Sequence, residues 1–379
     1  MFISKLIYLK KIIQNFIKKI FQSIFVLFYG KVTKVILPDQ SEKVSIIKVK
    51  KNNLIYRLFK INSGRFYTDT IDDAAVIVDN KIIEGPSYQL RSDENNLISP
   101  RNNSSTNKNI VLSKGTPRIK KKIKGSVISL LAGGGANNNY FHWLYDVLPR
   151  LAILENTKEK IEPDYYLIPN NKLSFQVDTL KLLGISQNKL LPSYNYRHFS
   201  FDEIYITDHP YNLTNNTSVD HENIPFWISD WLKKKFLIKK DAEDIRVKKI
   251  FIDRDDVDPK RNSNRRISNE NELRDLLKKI DFDFIKLSEI SFLNQINIFY
   301  NADIIVGLHG AGFANLSFCK SGTKVVEIRS NQTRKIIESI AKNNNLNFKA
   351  LNYNPEKLSD KQNGVIKVSL DELEKAIKH

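Results

Sequence analysis

The 379-residue chain contains one cysteine, Cys319, which excludes a disulfide scaffold and any cysteine-based zinc site. It has no acidic residue before Asp39. It also lacks a long apolar run in that region. Ile20 to Gly30 is uncharged for 11 residues, short of the roughly 20 that a spanning helix needs. Extending the run from Ile12 to Tyr29 would bury Lys18 and Lys19. No short-period repeat and no RNA- or DNA-reading motif is present. Disorder is excluded too, because 41% hydrophobic and 10% aromatic residues suffice for a packed core. The length favours two domains over one.

Lys and Arg number 60 against 42 Asp and Glu, a formal charge of +18. A basic surface favours anionic partners such as nucleotides, phospholipid headgroups or nucleic acid. The chain is also crowded with Lys, Asn and Ile, as any coding sequence rich in A and T would make it. Charge alone is therefore weak evidence for nucleic acid, which is not expected as a partner.

Lys5, Lys10, Lys11, Lys18, Lys19, Lys31 and Lys34 stand in the first 37 residues. Leu6, Ile13, Ile20 and Leu27 recur every seventh position, with Leu9 and Phe16 beside them, which places them on one helix face flanked by Lys11 and Lys18. No small-residue cleavage site follows, unlike a secretory signal. Residues 1–30 read as an amphipathic helix on an anionic membrane surface. That makes the protein peripheral, on the cytoplasmic face. The alternative is a helix docked on the protein's own body.

Residues 31–120 form a strand-rich part, with β-branched runs at Val44–Val49, Ala74–Val78 and Lys81–Ile83. The polar run at 99–109 reads as a loop, and the basic stretch Arg118–Lys124 as a solvated edge or a phosphate-binding surface. After Gly125, strands and helices alternate. Val127–Leu131, Asp164–Ile168 and Glu203–Ile206 read as strands and Phe175–Leu183 as a helix, which defines a first α/β lobe over 121–240. The helical stretch Ile224–Lys240 carries Trp227 and Trp231, and the charged run 239–244 marks a boundary. A second series over 241–379 has strands at Lys249–Ile252, Phe284–Lys286, Asp303–Gly307 and Lys324–Ile328, with helices at Glu270–Ile280, Phe292–Tyr300, Ala311–Phe318 and Leu370–Lys378.

Three clusters carry chemistry. In residues 133–151, Gly133–Gly135 lead into a helix start where free N–H groups favour anionic or hydroxyl-rich ligands. His142 and Asp146 are i, i+4 there, so the imidazole could act as a general base supported by the carboxylate. The plain alternative is a satisfied polar histidine and an Asp146–Arg150 ion pair. Residues 251–273 follow a strand and offer Arg254, Lys260, Arg261, Arg265 and Arg266 for phosphate clamping. Asp253, Asp255, Asp256 and Asp258 could hold a divalent ion or simply neutralise these arginines. In residues 287–328 a strand runs into His309-Gly310-Ala311-Gly312, whose glycines permit close approach of a diphosphate, or alternatively a tight packing turn. Glu327, ending the next strand, is placed to accept from a ribose or sugar diol.

NYFHWLYDVLPRL, RRISNENEL, EISFLNQINIF, ADIIVGLHGAGFANLSF and VVEI occur in an order and spacing that resembles glycosyltransferase family 61 across about residues 125–330. The resemblance implies an α/β fold of GT-B type, two Rossmann-like lobes with a cleft. It also implies inverting transfer of a sugar from a nucleotide-sugar, a UDP-sugar foremost, to a glycan or other hydroxyl acceptor, with surface or capsular polysaccharide synthesis as the setting. No obligatory cofactor or metal follows from it. By resemblance the donor positions are Arg254, Arg266, Asn269, Glu270, Gln295, His309, Gly310, Ala311, Gly312, Asn315 and Glu327. His142, with Asp146, is the expected base, and Asp255 or Asp256 the substitute. Two other classes stay open: a phosphoglycosyl or glycerol-phosphate transferase, and a non-catalytic glycan- or nucleic-acid-binding protein.

Overall fold

The computed structural model describes residues 2–89, 104–131, 138–214, 216–239, 247–254 and 265–378. The chain divides into two compact units. The first comprises Met1–Asn137, Arg150–Asn171 and Ser186–His209. The second comprises Asn138–Pro149, Lys172–Ile185 and Pro210–His379. These bounds differ from breaks at 120 and 240. Residues 138–149 and 210–240 pack with the later part of the chain.

In the first unit, strands β1 (Lys34–Ile36), β2 (Val44–Lys51), β3 (Leu54–Tyr67), β4 (Asp73–Val78), β5 (Lys81–Ile83) and β6 (Tyr88–Gln89) share one sheet with β7 (Lys121–Lys122), β8 (Ser126–Ser129), β9 (Tyr165–Ile168), β10 (Leu190–Pro192) and β11 (His198–Thr207). The strand-rich part is thus no separate layer. β8 to β11 pair in parallel, whereas β3 runs antiparallel to β2, β4 and β11. The strands within 121–240 all pair with one another in parallel, as expected there, and the sheet is mixed because β3 joins them antiparallel through β11. The local cause is turn chemistry. Asp79 and Asn80 both take positive φ, 47° and 57°, the two-residue turn that matches strand twist and folds β5 back on β4. Phe59, Phe66, Val127, Leu167 and Phe199 form its core.

The second unit is built on β12 (Lys249–Asp253), β13 (Asp283–Lys286), β14 (Ile304–Leu308), β15 (Lys324–Ser330) and β16 (Asn347–Tyr353), all parallel, in the order β13-β12-β14-β15-β16. Short β-branched runs such as IIVGL suit strands covered on both faces. The chain leaves β12 in one direction and β14 in the other. Open α/β sheets bind ligands at such a switch point, outside the carboxyl ends of the strands. Arg254 follows β12, and His309 follows β14, at that point. The helices Glu270–Lys279 and Phe292–Asn301 lie close to their expected bounds, and Leu370–Lys378 coincides with them. Helix Ile336–Asn343 and strand β16 were not read from the sequence.

Candidate functional site

A cavity of about 260 Å³ opens within the second unit. His142, His221, Arg265, His309 and Arg334 line it, with Asn139, Phe141, Gly310, Ala311, Ile336, Ile337 and Gln362. Among the described residues no carboxylate lines it. Two guanidiniums and three imidazoles around so small a space have the chemistry to meet an anion.

His142 reaches the cavity through local backbone chemistry. Asn139 caps a short helical turn, its Oδ1 accepting from the N–H groups of Phe141 (2.9 Å) and His142 (3.3 Å). The next residues, Trp143–Val147, form a π-helical turn, closed by the Leu148 N–H on the Trp143 carbonyl at 3.1 Å. Such turns concentrate at functional sites because they re-aim side chains. Trp143 Nε1 donates to the Thr179 hydroxyl at 2.9 Å, and Tyr145 bonds Ser317, so the turn is pinned from two sides. His142 Nδ1 meets Asp146 Oδ2 at 2.8 Å. A carboxylate only accepts, so Nδ1 carries the proton and Nε2 keeps the lone pair. Burial pulls the imidazole's pKa down, but the charge and hydrogen bond of Asp146 outweigh it, and the net pKa lies above the ordinary 6.5. That is a strengthened base with a third of its side chain accessible (32%).

His309 is held differently. Its Nδ1 bonds Glu327 Oε1, while Glu327 Oε2 accepts from Arg329 at 2.9 Å. Glu327 is fully buried. Its expected task of receiving a sugar diol is therefore corrected: both carboxylate oxygens are engaged behind the histidine. The His309 carbonyl accepts from Arg254 and, at 2.9 Å, from Arg265. Gly310 makes room for this, since a Cβ there would lie 2.5 Å from Arg254 Nη1. Gly312 serves packing instead, a Cβ there meeting Leu287 at 2.6 Å.

Arg265, and not Arg266, lines the cavity. Arg266 is exposed, and its carbonyl accepts from the Ile366 N–H in a bridge that fixes the chain direction. Successive side chains of extended backbone point opposite ways, so only one of the two arginines can face inward. Arg265 is anchored by the Gln362 carbonyl and Asn363, each 2.8 Å away. Burial and the neighbouring Arg254 lower its pKa to about 10, which leaves it charged at neutral pH.

Four more expected donor residues are structural. Asn269 bonds both the N–H and the carbonyl of Val368 at 2.9 Å. Glu270 accepts from Arg274, which also clamps Asp253. Gln295 accepts from Asn315 at 2.9 Å, and Asn315 in turn accepts from the Tyr140 hydroxyl at 2.6 Å. Arg150 donates to the Thr207 carbonyl at 2.9 Å. Gly133–Gly135, Asp255, Asp256, Asp258, Lys260 and Arg261 lie outside the described residues.

His221 and Arg334 escaped the sequence reading. His221 Nδ1 is buried with no hydrogen-bond partner, and burial together with Arg334 lowers its pKa to about 4. Arg334 follows the carboxyl end of β15, where the parallel-sheet rule would have located it. His221, on the helix Thr217–Glu222, carries no motif signal.

Residues 140–326 match the family described as Glycosyltransferase 61. Over these residues the chain is a member of glycosyltransferase family 61. The EGF domain-specific O-linked N-acetylglucosamine transferases of Bos taurus and Rattus norvegicus are each 39% identical to it over 70 residues, and that of Gallus gallus 36% over 69. Each of these alignments covers 17% of this chain and 13% of the relative. The family 61 segment contains His142, Asp146, Arg254, Arg265 and His309, and Arg334 stands just beyond it.

Proposed function

We propose that this family 61 protein is an inverting glycosyltransferase. It takes a nucleotide-sugar donor, a UDP-sugar foremost, and passes the sugar to a glycan or glycoconjugate hydroxyl in surface or capsular polysaccharide synthesis. A GT-B-type two-lobed architecture is part of the proposal. The carrying observation is the cavity at the β12/β14 switch point, lined among the described residues by Arg265, Arg334 and His309 and by the carboxylate-supported His142.

The acceptor oxygen forms a bond to C1 as the bond from C1 to the diphosphate oxygen breaks. The hydroxyl proton passes to His142 Nε2, and the nucleoside diphosphate leaves. Negative charge grows on the leaving phosphates, where Arg265, Arg334 and His309 meet it, and such preorganised donors supply much of the rate. The two guanidiniums need no metal to neutralise a diphosphate, so turnover should persist in EDTA. Thermal-shift measurements with UDP-, GDP- and CMP-sugars test donor class through stabilisation by the bound ligand. Donor-dependent release of a nucleoside diphosphate supports the reading. Release of a monophosphate would replace it with phosphoglycosyl transfer, and stabilisation by none of the three would refute it.

A further inference from the structure

We propose that the helix Phe2–Tyr29 and the basic segment 118–124 together form a docking surface for an anionic lipid bilayer. At 3.6 residues per turn, Leu9, Ile13, Phe16, Ile20, Ile24 and Leu27 fall within an arc of about 80°. All six are exposed, Phe16 at 64% and Leu27 at 85%. Ile12, Ile17, Phe21 and Phe28 are exposed too and widen the arc to about 180°. Lys19 borders it and Lys10 lies just inside the other edge, while Lys18, expected to flank the apolar face, lies on the far side. The helix touches the body from that far side, through its last turns. Val26 approaches Gly115, the Tyr29 ring stands edge-on to His198 at 5.0 Å, and the Tyr29 carbonyl accepts from Arg65 at 3.2 Å. The apolar stripe therefore faces away from the protein.

Tertiary structure adds a second signal. The Lys120 N–H donates to the Tyr29 hydroxyl at 3.0 Å, and Lys120 Nζ lies 5.4 Å from the Tyr29 ring centre. This bond places Lys120, Lys121, Lys122 and Lys124, all exposed, at the end of the helix, although some ninety positions separate them in sequence. One apolar insertion alone gives marginal membrane binding, and an apolar segment plus a basic patch gives stable binding. No helix among the described residues is long and apolar enough to cross a membrane, so the mode is lying on the surface. A second copy of the helix fits less well. The arc is wider than a coiled-coil seam, and no acid before Asp39 could pair with the partner's lysines.

The test is flotation of the full chain with phosphatidylcholine vesicles, with and without phosphatidylglycerol. The protein should float only with the anionic vesicles and detach as salt rises. Combined I13S, F16S, I20S and L27S should abolish flotation with little change in thermal stability, since these side chains are exposed. Combined K120Q, K121Q, K122Q and K124Q should weaken partition by about 10²-fold or more. Serine variants that float like the parent, equal flotation without phosphatidylglycerol, or no flotation at all would each overturn the proposal. So would a dimer in light scattering that the serine variants dissolve while vesicles recover nothing. None of these outcomes depends on the proposed transfer reaction.

Discussion

Glu327 stands directly behind His309, bonded to its Nδ1 and completely buried, with Arg329 closing the other side of the carboxylate. Because the carboxylate accepts, His309 presents Nε2 to the cavity. The same logic orients His142 through Asp146. The two imidazoles are nevertheless unequal. Arg329 occupies the second oxygen of the carboxylate behind His309, whereas Asp146 raises the pKa of His142. His142 is the one suited to accept a proton.

His142→Gln should reduce kcat by about 10²–10⁴, the usual contribution of a general base, while donor affinity in titration calorimetry changes little. In the parent, activity should fall as pH drops through a midpoint above 6.5, because protonation removes the base. Asp146→Asn removes what opposes burial, so the acid limb of kcat/KM should move to lower pH and the maximum rate should fall. A pH profile untouched by Asp146→Asn would remove His142 from the base role.

Glu327→Gln takes from buried Arg329 its buried anion at 2.9 Å and leaves only the half-exposed Glu338 at 3.5 Å. Breaking such a pair costs about 3–5 kcal/mol. Chemical denaturation should show that loss, and Glu327→Gln combined with Arg329→Met should recover part of it. Failure of the double variant to recover any stability would mean that Glu327 matters through His309 alone.

Arg265→Ala should weaken nucleoside diphosphate binding and slow transfer by about 10²–10³. Arg266→Ala, at an exposed site, should change neither by more than a few-fold. Arg265→Lys should not restore function, because an ammonium cannot reproduce the fork that holds Gln362, Asn363 and the His309 carbonyl. The reverse ranking of the two alanine variants would mean that the ligand binds elsewhere.

Two buried imidazoles should make the protein acid-sensitive. Burial, aided by the charges of Arg65 and Lys120, lowers the pKa of His198 to about 4. His221 is lowered equally, by burial and Arg334. Their folded-state pKa values lie below the unfolded value of about 6.5, so the unfolded chain takes up protons first. Stability is therefore full above about pH 6.5 and declines as pH falls toward 4. His198→Asn, which keeps a donor for the Arg118 carbonyl, should show a shallower fall in Tm between about pH 7 and pH 4.5.

The order of the five motifs is a property of the chain, and it was enough to read the family and most elements of the second unit. Parallel strands covered on both faces leave compact apolar runs, and IIVGL before HGAG is unmistakable. His142, His309, Gly310 and Ala311, which line the candidate cavity, and Arg254, which holds the His309 carbonyl, were legible for the same reason: each stands in, or directly after, such a pattern. Neither the mixed character of the first sheet nor its union with residues 34–89 could be read, because pairing partners more than a hundred positions apart leave no periodic trace. β3 and β11 are the case in point.

Sequence by itself determined which charges exist and which neighbours share a helix face, since spacings of three, four and seven act within a few residues. Only the tertiary structure decided which arginine faces inward, because Arg265 and Arg266 are chemically equal and the bridge to Ile366, with the bonds of Arg265 to Gln362, Asn363 and His309, sets their sides. It also decided that Glu327 supports a histidine instead of meeting a sugar. Likewise, it brought His221 and Arg334 to the cavity and Lys120 to Tyr29, contacts made by folding between segments that carry no signal of each other.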